Sequence, residues 1–380
     1  MRIGIDCYWL SLRRGIGNYT YHLLRALSET AGDHTFVLYV NGRESLSGVP
    51  VDPRFTAKVV GRGLPYPVWE QVSLPLQVMR DRLDVLHCPA NTAPLFLAKR
   101  TKLIVTIHDV MYLLPASVLP QSPSFYQRLG RFYYRLLAPP AARRARCIMT
   151  VSQRSKRDIV DKLRVPQEKV RVIYESGNAQ CRPLADSSPV TEVKQRYSID
   201  GQYVFALGAV DPRKNTIGVL RSFAHLGKLT ALPIRLVIAG LAPEARSAFH
   251  TTISRMNLDG RVVLLGFVSE DELVALYNGA AVFVYPSLYE GFGMPILEAM
   301  ACGTPVVTSP AGAIPEVAGD AALYVDPHKP EEIAHTILRV ISDAGLRARM
   351  VEKGLDQAKR FSWLNTARQV METYGMGAAP

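Results

Sequence analysis

The sequence predicts an α/β protein made of two doubly wound domains, and three observations point there. The chain has 380 residues, too many for one compact core and well suited to two of roughly 150–200 residues. Short β-branched runs alternate with stretches of helical periodicity along its whole length. Most of those runs are unbroken apolar stretches rather than period-2 alternations, as strands covered on both faces of a parallel sheet must be.

The first series of strands is expected at 2–6, 35–40, 84–88, 103–107, 147–151 and 170–174. The second is expected at 202–207, 234–239, 261–265, 281–285, 304–308 and 322–325. Helical periodicity fills 18–30, 153–163, 214–228, 270–279 and 331–342. A polar join near 181–200 separates the two series, so the domains are expected at 1–185 and 186–362. On a helix spanning 125–137, Phe125, Leu129, Phe132 and Leu136 share one face and Arg128, Arg131 and Arg135 another. Such a helix can lie in a lipid interface. Packing of its apolar face on its own domain is the favoured expectation.

The composition, 48% hydrophobic and 21% charged, excludes long disorder and fibrous repeats. No apolar run approaches the roughly 18–20 residues of a membrane-spanning helix. The N-terminus turns polar by Asp6, so no secretory apolar region is read there. The 5 cysteines are scattered with no C-x-x-C spacing, which predicts reduced thiols and a cytoplasmic protein without a zinc site.

The net charge of +12 is unevenly spread. Residues 1–190 hold 27 Lys and Arg against 14 Asp and Glu, and residues 191–380 hold 18 against 19. The excess is densest in 128–171, through Arg128, Arg131, Arg135, Arg143, Arg144, Arg146, Arg154, Lys156 and Arg157. A domain facing something anionic would look like this, and so would a solvated face that aids solubility.

Four motifs fall at expected strand ends, where ligands of doubly wound sheets bind. Glu290-Gly291-Phe292-Gly293-Met294-Pro295-Ile296-Leu297-Glu298 follows the strand 281–285. Its glycines let a ligand approach the backbone, and Pro295 suits a first helical turn. The helix start then offers free N–H groups to an anion. Glu290 stands in the loop and Glu298 about one turn into the helix, so the two carboxylates can meet different hydroxyls of one ligand. Gly208 through Asn215 follows the strand 202–207, and its Arg213 and Lys214 can neutralise a diphosphate. No acidic pair of the D-x-D kind stands at a strand end to hold a metal instead. Gly15-Ile16-Gly17 opens the first helix, a plausible place for close approach to phosphate. His108 ends the strand 103–107 and faces the expected cleft.

Together these residues resemble the family-4 glycosyltransferases, which have the GT-B architecture of two Rossmann-like domains facing each other across a cleft. The stretch Ala301–Val307 and that from Pro315 to Ala322 are similar as well. The resemblance implies a retaining, metal-independent transfer from a nucleotide-diphospho-sugar, which acts as substrate, with no cofactor. It implies that Lys214 binds the donor diphosphate with backbone N–H groups of Gly17 and of the Gly291–Pro295 loop. Glu290 would hold sugar hydroxyls and support charge at the anomeric carbon, Glu298 the ribose, and His108 the donor sugar. The catalytic set would be Glu290, His108 and Lys214; the donor-binding set would be Gly15, Gly17, Arg213, Lys214, Glu290, Gly291, Phe292, Gly293, Met294 and Glu298. The first domain would take the acceptor, its specificity lying in loops such as 110–125, and a C-terminal helix at about 363–380 would cross back onto it. One departure concerns charge: the family commonly has an Arg near Ala209, whereas here Arg213 adjoins Lys214. The P-R-K-N turn is nearest a mannosyltransferase-like subset of surface-polysaccharide assembly, which suggests GDP-mannose as donor and a glycan or lipid-linked acceptor.

Two other classes compete. A sugar-nucleotide epimerase would share the architecture but need an acid/base pair, and the intact Glu290–Glu298 element argues against it. A nucleic-acid binder would explain the charge but leave that element idle, and the sequence carries no recognition motif. No nucleic-acid partner is expected, whereas contact of the basic domain with an anionic membrane, peripheral at the inner face, fits the charge.

Overall fold

A computed structural model describes residues 1–12, 15–30, 32–115 and 125–376. The chain forms two units. The first comprises Met1–Leu114, Pro123–Glu175 and Ser362–Pro380, and the second is built on Ser176–Phe361.

The first unit's sheet contains β1 (Arg2–Asp6), β2 (Thr35–Val40), β3 (Phe55–Val59), β4 (Val85–Cys88), β5 (Lys102–Thr106), β6 (Cys147–Thr150) and β7 (Val170–Val172). All neighbours are parallel, in the order β3-β2-β1-β4-β5-β6-β7. The second unit's sheet contains β8 (Gln202–Leu207), β9 (Ile234–Ala239), β10 (Val262–Leu264), β11 (Val282–Tyr285), β12 (Val306–Thr308) and β13 (Ala322–Tyr324). It too is parallel, in the order β10-β9-β8-β11-β12-β13. The winding reverses between β1 and β4 in one sheet and between β8 and β11 in the other. Beyond the carboxyl ends of such strands lies the crevice where doubly wound sheets take ligands.

The continuous apolar runs are the central strands, and their side chains are buried on both faces, as with Ile3, Leu86, Val105 and Ile148, or Val204, Phe205, Val237 and Phe283. β3 was not among the expected strands. It is an edge strand whose residues Phe55-Thr56-Ala57-Lys58-Val59 are half-buried or exposed, so no apolar run marks it. Its Lys58 pairs with the buried Asp81 carboxylate.

The passage between units comes at Ser176, earlier than the expected 185/186. The reason is packing: Cys181 and Leu184 join the second unit's core, and the Leu184 N–H donates to Asn278 Oδ1 at 2.9 Å.

The helix Phe125–Arg144 forms, but its expected packing face does not hold. Leu129, Phe132 and Leu136 are exposed, while Leu137, Ala138, Ala141 and Ala142 are buried. The small alanines let the helix lie close to the sheet, which turns the larger apolar row outward. Phe125's side chain and most of the loop 110–125 lie outside the described residues.

The last helix, Trp363–Gly375, belongs to the first unit and packs on the helix Ile16–Thr30. Trp363 stacks on His22 with ring centroids 5.2 Å apart. Tyr374 Oη lies 2.7 Å from Nδ1 of His87, whose Nε2 is 2.7 Å from Thr106 Oγ1. Burial pushes the His87 imidazole down to about 3, so it is neutral. Residues 377–380 of the expected helix lie outside the described residues.

Candidate active site

The second unit gathers the strongest sequence motifs at the ends of β8 and β11. After β8 the chain turns through Asp211, whose carboxylate accepts from the Arg213 N–H at 3.0 Å and starts the short turn Pro212–Lys214. Asn215 then adopts a left-handed conformation, and its amide donates to the carbonyls of Pro286 at 3.1 Å and Pro327 at 2.8 Å. The Leu288 N–H donates to the Arg213 carbonyl at 2.8 Å. These bonds lash the basic turn to the loop that follows β11.

Lys214 is thereby aimed at Glu290, with Nζ 2.8 Å from Oε1. Tyr285, the last residue of β11, donates its hydroxyl to the same carboxylate oxygen at 2.9 Å and also meets the Lys214 ammonium. Arg213 pairs with Asp211 at 3.3 Å and stands 3.9 Å from Glu290 Oε2. Burial opposes the ionised Glu290 most strongly, but Lys214 and Arg213 together outweigh it and hold the carboxyl below its usual range. Burial also lowers the Lys214 ammonium, and Glu290 offsets this only in part. The result is a fixed charge pair at the switch point, with Glu290 buried and Lys214 half-buried.

The loop beyond Glu290 is held in place by its neighbours. The Ala313 N–H donates to the Glu290 carbonyl at 2.9 Å. Gly312, at φ +63°, lies so close that a Cβ there would sit 2.2 Å from that same carbonyl oxygen. Following Gly291, Phe292 is buried, with its ring 5.6 Å from that of Phe361. Gly293, at φ +111°, precedes the helix Met294–Ala301, with Pro295 in its first turn. Glu298, one turn in, is buried; its Oε2 accepts from Tyr277 Oη at 3.1 Å and its Oε1 faces the Asn178 N–H at 3.4 Å. Burial raises the Glu298 carboxyl above its ordinary value.

In the first unit, His108 follows β5 with both ring nitrogens engaged. Nε2 lies 2.9 Å from the Pro89 carbonyl, and Nδ1 lies 2.9 Å from Glu175 Oε1. A carbonyl and a carboxylate can only accept, so the arrangement suits an imidazolium donating from both nitrogens. Burial disfavours that charge most, but Glu175 outweighs it and the imidazole is raised above 6.5. The Asn91 side chain accepts from the His108 N–H at 2.7 Å. Tyr19 sets its ring edge-on to the imidazole at 4.8 Å, so the Gly15–Tyr19 turn and His108 meet. Gly15 itself sits at φ +52°. Gly17 is required by the chain itself, since a Cβ there would lie 1.9 Å from the Leu12 carbonyl oxygen.

Lys214, Arg213, Glu290 and Glu298 thus stand at one sheet end of the second unit, and Gly15, Gly17 and His108 group in the first. Residue patterns missed Glu175, Tyr285, Tyr277, Asn178 and Gly312. Tyr285 and Tyr277 read as core aromatics, and Glu175 and Gly312 carried no motif. Only the fold makes them partners of the motif residues.

Residues 13–176 match the family model described as Glycosyltransferase Family 4, and residues 191–357 match that of glycosyl transferases group 1. The chain is 31% identical over 298 residues to the O-antigen chain mannosyltransferase B of Escherichia coli, covering 78% of this chain and 75% of that protein. It is 24% identical over 399 residues to the serotype-specific mannosyltransferase WbdA of Escherichia coli, covering 95% of this chain; it spans 46% of that longer relative. The solved structure of Anabaena Alr3699/HepE in complex with UDP and glucose superposes with a TM-score of 0.76 at 18% identity, over 99% of both chains. With both halves matched and such a relative covered over three quarters of its length, the chain belongs to the family-4 glycosyltransferases of GT-B fold, its second half being their group 1 domain.

Proposed function

We propose that this glycosyltransferase moves mannose from GDP-mannose to a glycan or lipid-linked acceptor in the assembly of an O-antigen-like surface polysaccharide. The mannosyltransferase relatives support the sugar and the setting. The single observation that carries the chemistry is the ion pair of half-buried Lys214 with buried Glu290 at the ends of β8 and β11. A diphosphate entering there meets the Lys214 ammonium and Arg213, charges already fixed in place and costing little reorganisation. Glu290, freed in part from Lys214, accepts from donor-sugar hydroxyls and faces the positive charge growing at the anomeric carbon. Glu298, with its raised carboxyl, accepts from or donates to the ribose hydroxyls.

In this reading the bond from the anomeric carbon to the diphosphate oxygen breaks as the acceptor oxygen bonds on the same face. The acceptor proton passes to the departing diphosphate, so configuration is retained without a basic side chain. The charge of Lys214 and Arg213 takes the place of a metal. His108, already ion-paired with Glu175, contributes a fixed positive charge and shape rather than a mobile proton.

A thermal-shift series with GDP, UDP, ADP and their sugar conjugates tests the donor. A ligand at a hundred times its Kd stabilises the fold by about 2.7 kcal/mol, a shift of a few degrees. Selective response to GDP and GDP-mannose is expected. Selective response to UDP would discard mannose, and silence with every nucleotide would discard the donor site.

A further inference from the structure

The helix Trp363–Gly375 turns one face inward: Trp363, Thr366, Val370 and Tyr374 recur at intervals of three and four, and all are buried. Three of them reach the surroundings of His108 by separate routes, each within the first unit. Thr366 Oγ1 donates to the Tyr174 carbonyl at 2.6 Å, and the next residue is Glu175, whose carboxylate holds His108 Nδ1. Trp363 sets its ring against that of Tyr19, centroids 5.7 Å apart. Tyr19 in turn stands edge-on to His108 at an interplanar angle of 87°. The third route starts at the Tyr374 hydroxyl, which is 2.7 Å from His87 Nδ1, while His87 Nε2 is 2.7 Å from Thr106 Oγ1. The Thr106 hydroxyl also meets that of Tyr19. Thr106 ends β5, two residues before His108, and its carbonyl accepts from the Asn91 N–H at 3.0 Å.

The third route has a fixed polarity. His87 is buried and neutral, so one ring nitrogen donates and the other accepts. Of its two hydroxyl partners, one must therefore donate to the ring and the other accept from it. The protons on Tyr374, His87 and Thr106 are ordered together, and removing the Tyr374 hydroxyl leaves a buried ring nitrogen without its partner. The charged and titratable groups facing His108 are Glu175, Asp109 and His87. With His87 neutral, the imidazolium meets carboxylates and no second cation. Its own nitrogens are spent on Glu175 and the Pro89 carbonyl, so its place is set by what holds those supports. A group at a reacting centre acts well only when such supports are locked.

We propose that Thr366 and Tyr374 are positioning residues for His108, and that the last helix is the part of the chain that fixes this imidazole for sugar transfer. The inference rests on the reading that His108 serves the transfer.

Thr366→Val and Tyr374→Phe each remove one hydroxyl and keep the bulk of the side chain. Each should lower kcat for transfer from GDP-mannose by about tenfold with KM unchanged. Thr366→Ser, which keeps the hydroxyl, should recover most of the loss. Val370→Ala is the control on the same face, since it opens a cavity but its side chain offers no hydrogen bond to either route. It should lower Tm and leave kcat at the wild-type level. An NMR titration of His108 needs no substrate: its pKa should fall in Thr366→Val, as Glu175 loosens, and hold in Val370→Ala. Wild-type kcat with unmoved His108 resonances in both hydroxyl variants would overturn the proposal. So would a Val370→Ala enzyme as impaired as they are, because the helix would then act through packing alone. His108→Ala separates the two readings. Slowed transfer there, with the hydroxyl variants unaffected, would refute the positioning role only; wild-type transfer there would discard the role of His108 and the proposal with it.

Discussion

Lys214 and Glu290 come from different strand ends, 76 positions apart in sequence, yet their charged atoms meet at 2.8 Å with the Tyr285 hydroxyl on the same carboxylate oxygen. The pair is built by the turn caps on one side and by the Gly312–Ala313 clamp on the other.

Removing Lys214 should therefore act on both chemistry and stability. Lys214→Ala is expected to lower kcat/KM for sugar transfer by about 10²–10³, as the loss of one preorganised charge does. It also leaves Glu290 buried with weaker compensation, at a cost of about 1–3 kcal/mol. The double variant Lys214→Met/Glu290→Gln should regain most of that stability and none of the activity. Steady-state kinetics and denaturant melts check both halves, and a folded Lys214→Ala enzyme with wild-type rates would remove the diphosphate assignment.

Gly312→Ala should disturb the site without touching any charged group. The new Cβ meets the Glu290 carbonyl, and φ +63° is a left-handed conformation that costs a non-glycine residue about 1–2 kcal/mol. A lower Tm together with loss of transfer is the expected result. An unchanged Tm would show that the 290–313 contact yields freely.

The His108–Glu175 pair gives the first unit a pH dependence. The folded imidazole is raised above 6.5, so the pair's contribution is fully present below pH 6.5 and is lost as the pH rises through the shifted value. The Tm gap between wild type and Glu175→Gln should be widest on the acid side and close with rising pH. An NMR titration of His108 should show its pKa falling in the variant.

If Lys214 and Arg213 supply the positive charge for the leaving diphosphate, as proposed, transfer should survive EDTA. Complete loss restored by Mg²⁺ or Mn²⁺ would assign that charge to a metal.

The sequence carried those parts of the fold that depend on local pattern. Buried central strands read as apolar runs, and the Glu290–Glu298 element and the P-R-K-N turn stand at the strand ends where the sequence order puts them. Features that depend on tertiary placement were not legible. The edge strand β3 has no apolar run, and the boundary at Ser176 is decided by where Cys181 and Leu184 pack. The helix Phe125–Arg144 was legible as a helix but not in its orientation: periodicity chose the row with the largest apolar side chains, whereas the sheet accepts the row of Ala138, Ala141 and Ala142. Glu175 resembles any surface acid until β5 brings His108 against it.

The docking of Trp363–Gly375 on the helix Ile16–Thr30 bears on how the protein is made. All the strands of the second unit lie within 176–361, so they leave the ribosome as one stretch and can close their sheet at once. The first unit is complete only when His87 meets Tyr374, 287 positions later, and when Trp363 reaches His22. Its core therefore waits, partly open, through the synthesis of its entire neighbour, and non-local closure of this kind is slow. The last helix acts as a latch on the half of the chain that was made first.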